Sequence, residues 1–321
     1  MERTEWQAEG PPIMNKKELR QYMNRNDWRG LVHLSGHVSA LGATGYGLYV
    51  LQWSWWAVPL VVLHGALIAF LFAPMHECVH NTAFRTRRLN EIVGRFGGLM
   101  ILRPFLYLKY RHMAHHTFTR HPEKDPDNVP FPRDFKEYFL YVTGYNVWHR
   151  LISTLVQHAI GRFSEQERAF IPANEIPRVV REARIMMALY ASIAAASLLL
   201  QTWLAVYLWL APRVVGESVL RTFRMAEHTG MEESPSMLRN TRTTISNPIV
   251  RAMYWNMPYH VEHHLYPSVP FHQLPELHKQ VGPHAKEVAS GFTRVHLQIV
   301  RDVWNREKAK RQADTDAKLA S

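Results

Sequence analysis

Nineteen histidines in 321 residues need a chemical reason, and nine of them fall into four tight groups. His76 and His80 bracket Glu77-Cys78-Val79. His112-Met113-Ala114-His115-His116 and His260-Val261-Glu262-His263-His264 share the pattern H-x-x-H-H, and His228 stands alone in Ala226-Glu227-His228-Thr229-Gly230. On a helix, residues three and four apart are neighbours on one face. Each H-x-x-H-H group is therefore expected to offer three ring nitrogens to one centre. A single zinc takes about four ligands, so nine imidazoles suit two metals, each with four or five nitrogens and an open position. Imidazole binds iron, copper, zinc and nickel alike; an open, nitrogen-rich pair points toward iron and O₂, although ligand type alone does not decide it. Glu77, Glu227 and Glu262 adjoin these histidines as acceptors able to orient a ligand ring. Asn256, four residues before His260, can face the same site.

A rival motif overlaps the first group. His76–His80 reads H-E-x-x-H, in which two histidines hold zinc and Glu77 would be the base of a metalloprotease. Such a site needs one further ligand and leaves six of the other seven histidines without a purpose. It is the distant alternative. His121, His149, His158, His272, His278, His284 and His296 carry no spacing signal and are expected to be solvated or to lie behind the ligands.

The elements that position these groups are legible from charge. The 46 residues from Gly30 to Met75 contain no Asp, Glu, Lys or Arg, and neither do the 28 residues Ile185–Pro212. As helix at about 1.5 Å per residue, the first run extends ~69 Å, roughly two bilayer cores. It breaks at Gln52-Trp53-Ser54-Trp55-Trp56, an interfacial type of cluster, which predicts a hairpin of Leu31–Leu51 and Trp55–Met75. The second run makes two spans if it extends into flanking residues, with Arg181 and Arg184 snorkelling and a turn near Leu200–Trp203. The first thirty residues hold six Lys/Arg and His80–Arg184 holds seventeen, while both turns hold none, so the charged parts are expected in the cytosol. The net charge of +11 suits anionic headgroups or acidic partners. Arg103, Lys109, Arg111 and Arg120 are candidates to hold a phosphate-bearing headgroup or an acidic electron donor. The polar, acidic start does not read as a signal peptide, and one cysteine, Cys78, excludes an intrachain disulfide. His33, His37 and His64 lie inside the spans and are expected to bond between helices. Phe96–Leu108 and Tyr138–Trp148 are short apolar pieces expected to be interfacial or re-entrant rather than spans, and Pro122–Pro132 reads as a loop.

The expected fold is thus an all-α integral membrane protein with four transmembrane helices in two hairpins, under a cytosolic helical cap that holds a di-metal centre. Residues 1–30 form a cytosolic N-terminal segment, 31–75 the first hairpin and 76–184 a cytosolic or interfacial part with two histidine groups. Residues 185–222 form the second hairpin, 223–307 the cap with His228 and the last group, and 308–321 a charged, loosely ordered tail.

The set H-x-x-x-H, H-x-x-H-H and H-x-x-H-H, with one histidine after the fourth span, resembles the membrane fatty acid desaturase family. The match runs from about Ala73 to Leu277, within one desaturase domain of about 55–280. Asn256–His264 followed by Leu265-Tyr266-Pro267 looks like that family's third box, nearest to its small bacterial members. The resemblance implies a non-haem di-iron centre held by His76, His80, His112, His115, His116, His228, His260, His263 and His264. It also implies O₂-dependent oxidation of a fatty acyl chain, placing the protein in lipid metabolism. Some family members have Asn four residues before the lone histidine; Arg224 stands here. No H-P-G-G haem motif is present, so electrons are expected from a separate ferredoxin or cytochrome b5 type of donor. The same scaffold can serve a hydroxylase or ketolase of a lipid, carotenoid or small metabolite. Nothing suggests a nucleic-acid partner.

Overall fold

The fold is taken from a computed structural model that describes residue 6, residues 13–52 and residues 54–319. Trp53 of the interfacial cluster lies outside the described residues, as do parts of the N-terminal segment and the last two residues of the tail. The architecture is all-α apart from one short parallel pair, Thr243–Ile245 with Val288–Ser290.

The first long helix, α1 (Asp27–Leu51), starts at Asn26, whose side chain accepts from the Trp28 and Arg29 amides; this satisfies donors that a helix start leaves free. It ends just before the aromatic cluster. α2 (Ala57–Phe70) runs back and steps at Leu71 into α3 (Phe72–Val79). Next come α4 (Arg87–Ile101), α5 (Phe105–Phe118), α6 (Tyr145–Ala159) and α7 (Ile176–Leu199). After a break at 200–203, a π-type turn over Val206–Leu210 leads into α8 (Ala211–His228). α9 (His260–Leu265) belongs to the cap.

Among the described residues, two helical stretches are long and apolar enough to cross a membrane, Ala57–Val79 and Ala173–Leu199. The four-span expectation meets that standard only in part. α1 dilutes its apolar residues with glycines, Ser35, Ser39, Thr44 and two histidines, and α8 carries Arg213, Glu217, Arg221 and Arg224.

α2 and α8 touch backbone to backbone. A Cβ on Gly216 would lie 1.8 Å from the Gly65 carbonyl oxygen, and one on Gly65 would lie 2.1 Å from that of Pro212. Only glycine fits at either position. This crossing aligns the end of α3, which carries His76, with the end of α8, which carries His228. Buried Phe70, Phe84, Ile101, Leu220, Tyr254 and Trp255 form the core around it.

The three histidines inside the apolar runs bond between helices, each to a carbonyl near a helix break. Pro212 has no N–H to give the Leu208 carbonyl four residues back, and His64 Nε2 reaches that oxygen at 2.9 Å while Nδ1 lies 2.7 Å from Thr44 Oγ1. His37 donates to the Leu67 carbonyl at 2.8 Å, one turn before the step at Leu71. His33 does the same for Ala252 at 2.6 Å, near the end of the Pro248–Met253 helix.

Phe96–Leu108 and Tyr138–Trp148 each straddle a helix break, at Leu102–Pro104 and at Thr143–Gly144. One expectation differs from what is observed. The tail does not loosen at Lys308, because the Phe292–Leu319 helix runs through it; alanine, lysine and arginine are good helix formers.

Candidate metal centre

Each histidine group is carried on or directly beyond a helix. His76 sits on α3 with His80 just past its end, His112, His115 and His116 on α5, His228 at the last position of α8, and His260, His263 and His264 on α9. The four helix ends converge, and eight of the nine residues are buried, His80 remaining partly exposed.

The nitrogens sort into two clusters. His76, His80, His112, His116 and His263 each offer an atom within 4.8 Å of all the others, as do His115, His228 and His264 in a second set, which His260 joins through His228 and Glu227. The expectation that each H-x-x-H-H group serves one centre needs correction. Helix geometry explains the division: at about 100° per residue, positions i and i+4 lie only ~40° apart, whereas i+3 and i+4 diverge by ~100°. His112 and His116 therefore stay together while His115 turns to the other cluster. His260 and His264 stay together while His263 crosses the opposite way. The clusters interlock by exchanging one histidine each, and the His116 and His264 rings stack between them at 4.2 Å.

A metal fits this arrangement. His112 Nε2 lies 2.9 Å from Nε2 of both His80 and His116, His116 Nε2 lies 3.1 Å from His263 Nε2, and His228 Nε2 lies 3.1 Å from His260 Nε2. Around a metal with bonds of about 2.1 Å to nitrogen, adjacent ligands at right angles stand roughly 3.0 Å apart. Neither ring nitrogen of His76 has a hydrogen-bond partner, nor has Nε2 of His264. Burial, reinforced by neighbouring imidazoles, holds His112, His116, His260, His263 and His264 well below the ordinary imidazole value. His228 is lowered in the same way, and His80 is pushed down to about 3. Neutral rings keep the lone pair that a metal needs.

Groups behind the rings orient the second cluster. His115 Nδ1 donates to Asp125 Oδ1 at 2.8 Å; burial alone would lower this imidazole, but Asp125 raises it. His228 Nδ1 donates to the Asn240 carbonyl at 3.1 Å, and Thr119 Oγ1 lies 3.2 Å from His264 Nδ1. Glu227 is closer in than expected. Its Oε2 lies 3.6 Å from His260 Nε2, and it forms a potential ligand group with His228 and His260. Tyr254 donates to its other oxygen at 3.0 Å, and burial pushes its carboxyl up to about 6 against the pull of Arg224.

The other acids sit further out. Glu77 accepts from Thr82 Oγ1 and the Phe271 amide, with one oxygen 4.0 Å from His263 Nδ1. Glu262, two positions and about 200° round α9 from His260, turns away to accept from Thr243 and His278. Asn256 donates to the Phe271 carbonyl rather than facing the rings. Asp125, Asn240 and Thr119 carried no signal in the sequence beyond the Pro122–Pro132 loop that holds Asp125. His278 was expected only as solvated or behind the ligands, and it stands behind Glu262. His158 is buried against Phe163 and Glu167, far from the site in its contacts.

Known proteins similar to this chain are desaturases. The chain is 26% identical over 260 residues to the dihydrorhizobitoxine desaturase of Bradyrhizobium elkanii, covering 74% of this chain and 72% of that one. It is 23% identical over 258 residues to the sn-1 oleoyl-lipid 12-desaturase of Synechocystis sp., covering 73% and 71%. It is 24% identical over 312 residues to the endoplasmic-reticulum omega-3 fatty acid desaturase of Nicotiana tabacum, covering 87% and 80%. The sequence model of the fatty acid desaturase family matches residues 53–295; the chain belongs to that family and is an oxidoreductase of the desaturase type.

Proposed function

We propose that the protein is an O₂-dependent membrane desaturase that places a double bond in a fatty acyl chain at a di-iron centre, with electrons from a separate donor. The observation that carries this reading is the division of nine imidazoles into sets of five and four. Five neutral nitrogens from His76, His80, His112, His116 and His263 would hold one iron. His115, His228, His260 and His264 would hold the other, with Glu227 near enough to add an oxygen. An unactivated methylene has no acidic proton for a side chain to remove, and a di-iron centre with open positions supplies the oxidising power for hydrogen removal. The chain's own residues hold and orient the ligands, exclude water through burial of the rings, and supply apolar walls for the substrate.

The division into two hairpins, an interfacial part and a cap belongs to the same proposal. α1, with 25 residues, is ~37 Å long and packs along α2, as does α8, so both accompany the apolar helices across the bilayer. The histidine-bearing ends then share the cytosolic face, the side that the Lys/Arg bias favours.

Expression in a host that makes only saturated lipids, followed by mass spectrometry, tests the function. The expected product is an acyl chain lighter by two mass units. Gain of one oxygen would make it a hydroxylase, and loss of two mass units from a non-lipid metabolite would move the substrate, a route that the dihydrorhizobitoxine desaturase relative makes concrete.

A further inference from the structure

The four rings of the second cluster, His115, His228, His260 and His264, are all buried, whereas His80 of the first is partly exposed. A chain of cavities links the second cluster to solvent. A narrow cleft of about 10 Å³ touches His115, His228 and Glu227. It adjoins a cavity of about 180 Å³ lined by Arg103, Arg111, Arg150, Arg221, Arg224 and Asp127. That cavity adjoins a third of about 320 Å³, rimmed by the exposed Pro130, Arg133 and Arg150. Val129 and Tyr141 wall all three. Arg103 and Arg111, two of the basic residues singled out from the sequence, thus line the middle cavity. Arg120, another of them, lines the cleft and donates to Asn128 and to the Val129 carbonyl, fixing the chain where the cavities meet.

The polar groups along this route are not all matched within the protein. Nε of Arg103 and of Arg111, Nη2 of Arg221 and, in the cleft, Oγ1 of Thr229 are buried without a hydrogen-bond partner. Buried donors of this kind are costly to leave unmade, and in a polar cavity water meets them. The sizes suit water: one molecule needs about 10–15 Å³ of such space, so the cleft takes one at a time and the middle cavity several. A methylene chain cannot pass the cleft, and the substrate chain must reach the metals by another way. Glu217 pairs with Arg103 and Arg221, and Glu227 with Arg224. Even with these two carboxylates added to Asp127, the five guanidiniums around the middle cavity leave an excess of positive charge. Such a lining repels hydronium, which leaves neutral water as the cargo.

We propose that the three cavities form a passage by which water made at the metal centre reaches solvent. The inference rests on the desaturase reading above, because that reaction makes water. O₂, two electrons from the donor, two protons and the two hydrogens taken from the chain give one double bond and two waters. Product water that stayed would hold the positions the next O₂ needs. An inner end one molecule wide releases it while keeping bulk water off the rings. Val129, where the cavities meet, is the residue at which the passage can be closed.

Hydroxyl-radical footprinting of the iron-loaded, full-length protein in detergent tests it, with heavy-oxygen water mixed in just before a brief X-ray pulse. Side chains beside exchanging water take up the heavy oxygen, read residue by residue by mass spectrometry. His115, His228 and Tyr141 should be labelled. Val129→Trp should cut the labelling of His115 and His228 several-fold, leave exposed His284 and the iron content unchanged, and slow product formation several-fold. Val129→Ala, which keeps the passage open, should match the native protein in all of these. Unlabelled His115 and His228 in the native protein, a result that needs no variant to fold, overturns the passage, as does equal labelling in Val129→Trp. A Val129→Trp protein with a dry cleft and the native rate overturns the role in carrying product water. A protein that desaturates lipids with a dry cleft loses this inference but keeps the function proposed above. One labelled along the passage that forms no double bond does the reverse.

Discussion

The two imidazole clusters are built by different means. The five-histidine set takes two pairs at spacing four, His76 with His80 and His112 with His116, so helix geometry alone aims four of its rings. Little stands behind them: His76 has no partner at either nitrogen, and Glu77 stays 4.0 Å from His263. The four-histidine set has only one such pair, His260 with His264. Its other rings come from the i+3 position of α5 and from the end of α8, and hydrogen bonds donated to Asp125 and to the Asn240 carbonyl hold them in place. A site supplied by regular spacing needs few supports. One assembled from helix ends and loops needs an outer layer to fix each ring.

The largest expected effect comes from the crossover residues. His263→Ala should empty the five-histidine set while leaving the other filled, and His115→Ala the converse, so metal content falls from about two to about one per chain in each. Product should vanish in both, a loss beyond the roughly 10–100-fold cost of removing an outer partner. Loss of both metals from either variant would show that the clusters are one cooperative unit, and unchanged metal in either would break the division.

The next effect separates the two designs. Asp125→Asn removes the charge behind His115 and should weaken metal at the four-histidine set by about 10–100-fold, read by chelator competition, with the other metal unaffected. Glu77→Gln should leave both affinities near their original values, because Glu77 touches no ring within hydrogen-bond reach. Equal losses in the two variants would erase the contrast.

Acid sensitivity gives a third test. Burial lowers the folded-state values of His112, His116, His228, His260, His263 and His264. In the unfolded chain the same rings take up protons below about pH 6.5, so there the unfolded state binds more protons. These rings should therefore cost the metal-free protein stability as pH drops from about 6.5, by up to ~1.4 kcal/mol per pH unit for each ring, offset in part by Glu227 and His115, whose raised folded-state values act in the opposite sense. A melting temperature flat between pH 7 and 5 would contradict the burial of neutral rings. The smallest effect belongs to Glu262→Gln, which loses only its charge toward His278 and Thr243. It should cost about 1–2 kcal/mol of stability and leave metal content unchanged.

Much of this site could be read from residue spacing, because a helix carries its own ruler. The pairs 76/80, 112/116 and 260/264 follow from a separation of four. The assignment of His115 and His263 to opposite clusters does not, since it depends on how α5 and α9 are rotated against each other. Asp125 and Asn240 were illegible for a plainer reason: their contacts are made by loops brought in through the tertiary fold. The long helices divide along similar lines. Ala57–Val79 announces itself by its apolar sequence, whereas α8, a span only in the proposed topology, carries Arg213, Glu217, Arg221 and Arg224, whose charges pair inside the protein where a composition rule cannot see them. Pro212 and His64 make the same point at one carbonyl: the proline's missing donor is visible in the sequence, and the histidine that replaces it comes from another helix.

Metal analysis of the purified, full-length protein is the most direct test of the central claim. About two irons per chain are expected, falling to about one in His263→Ala. Absence of iron, or a single zinc per chain, would contradict a paired centre built from these nine imidazoles.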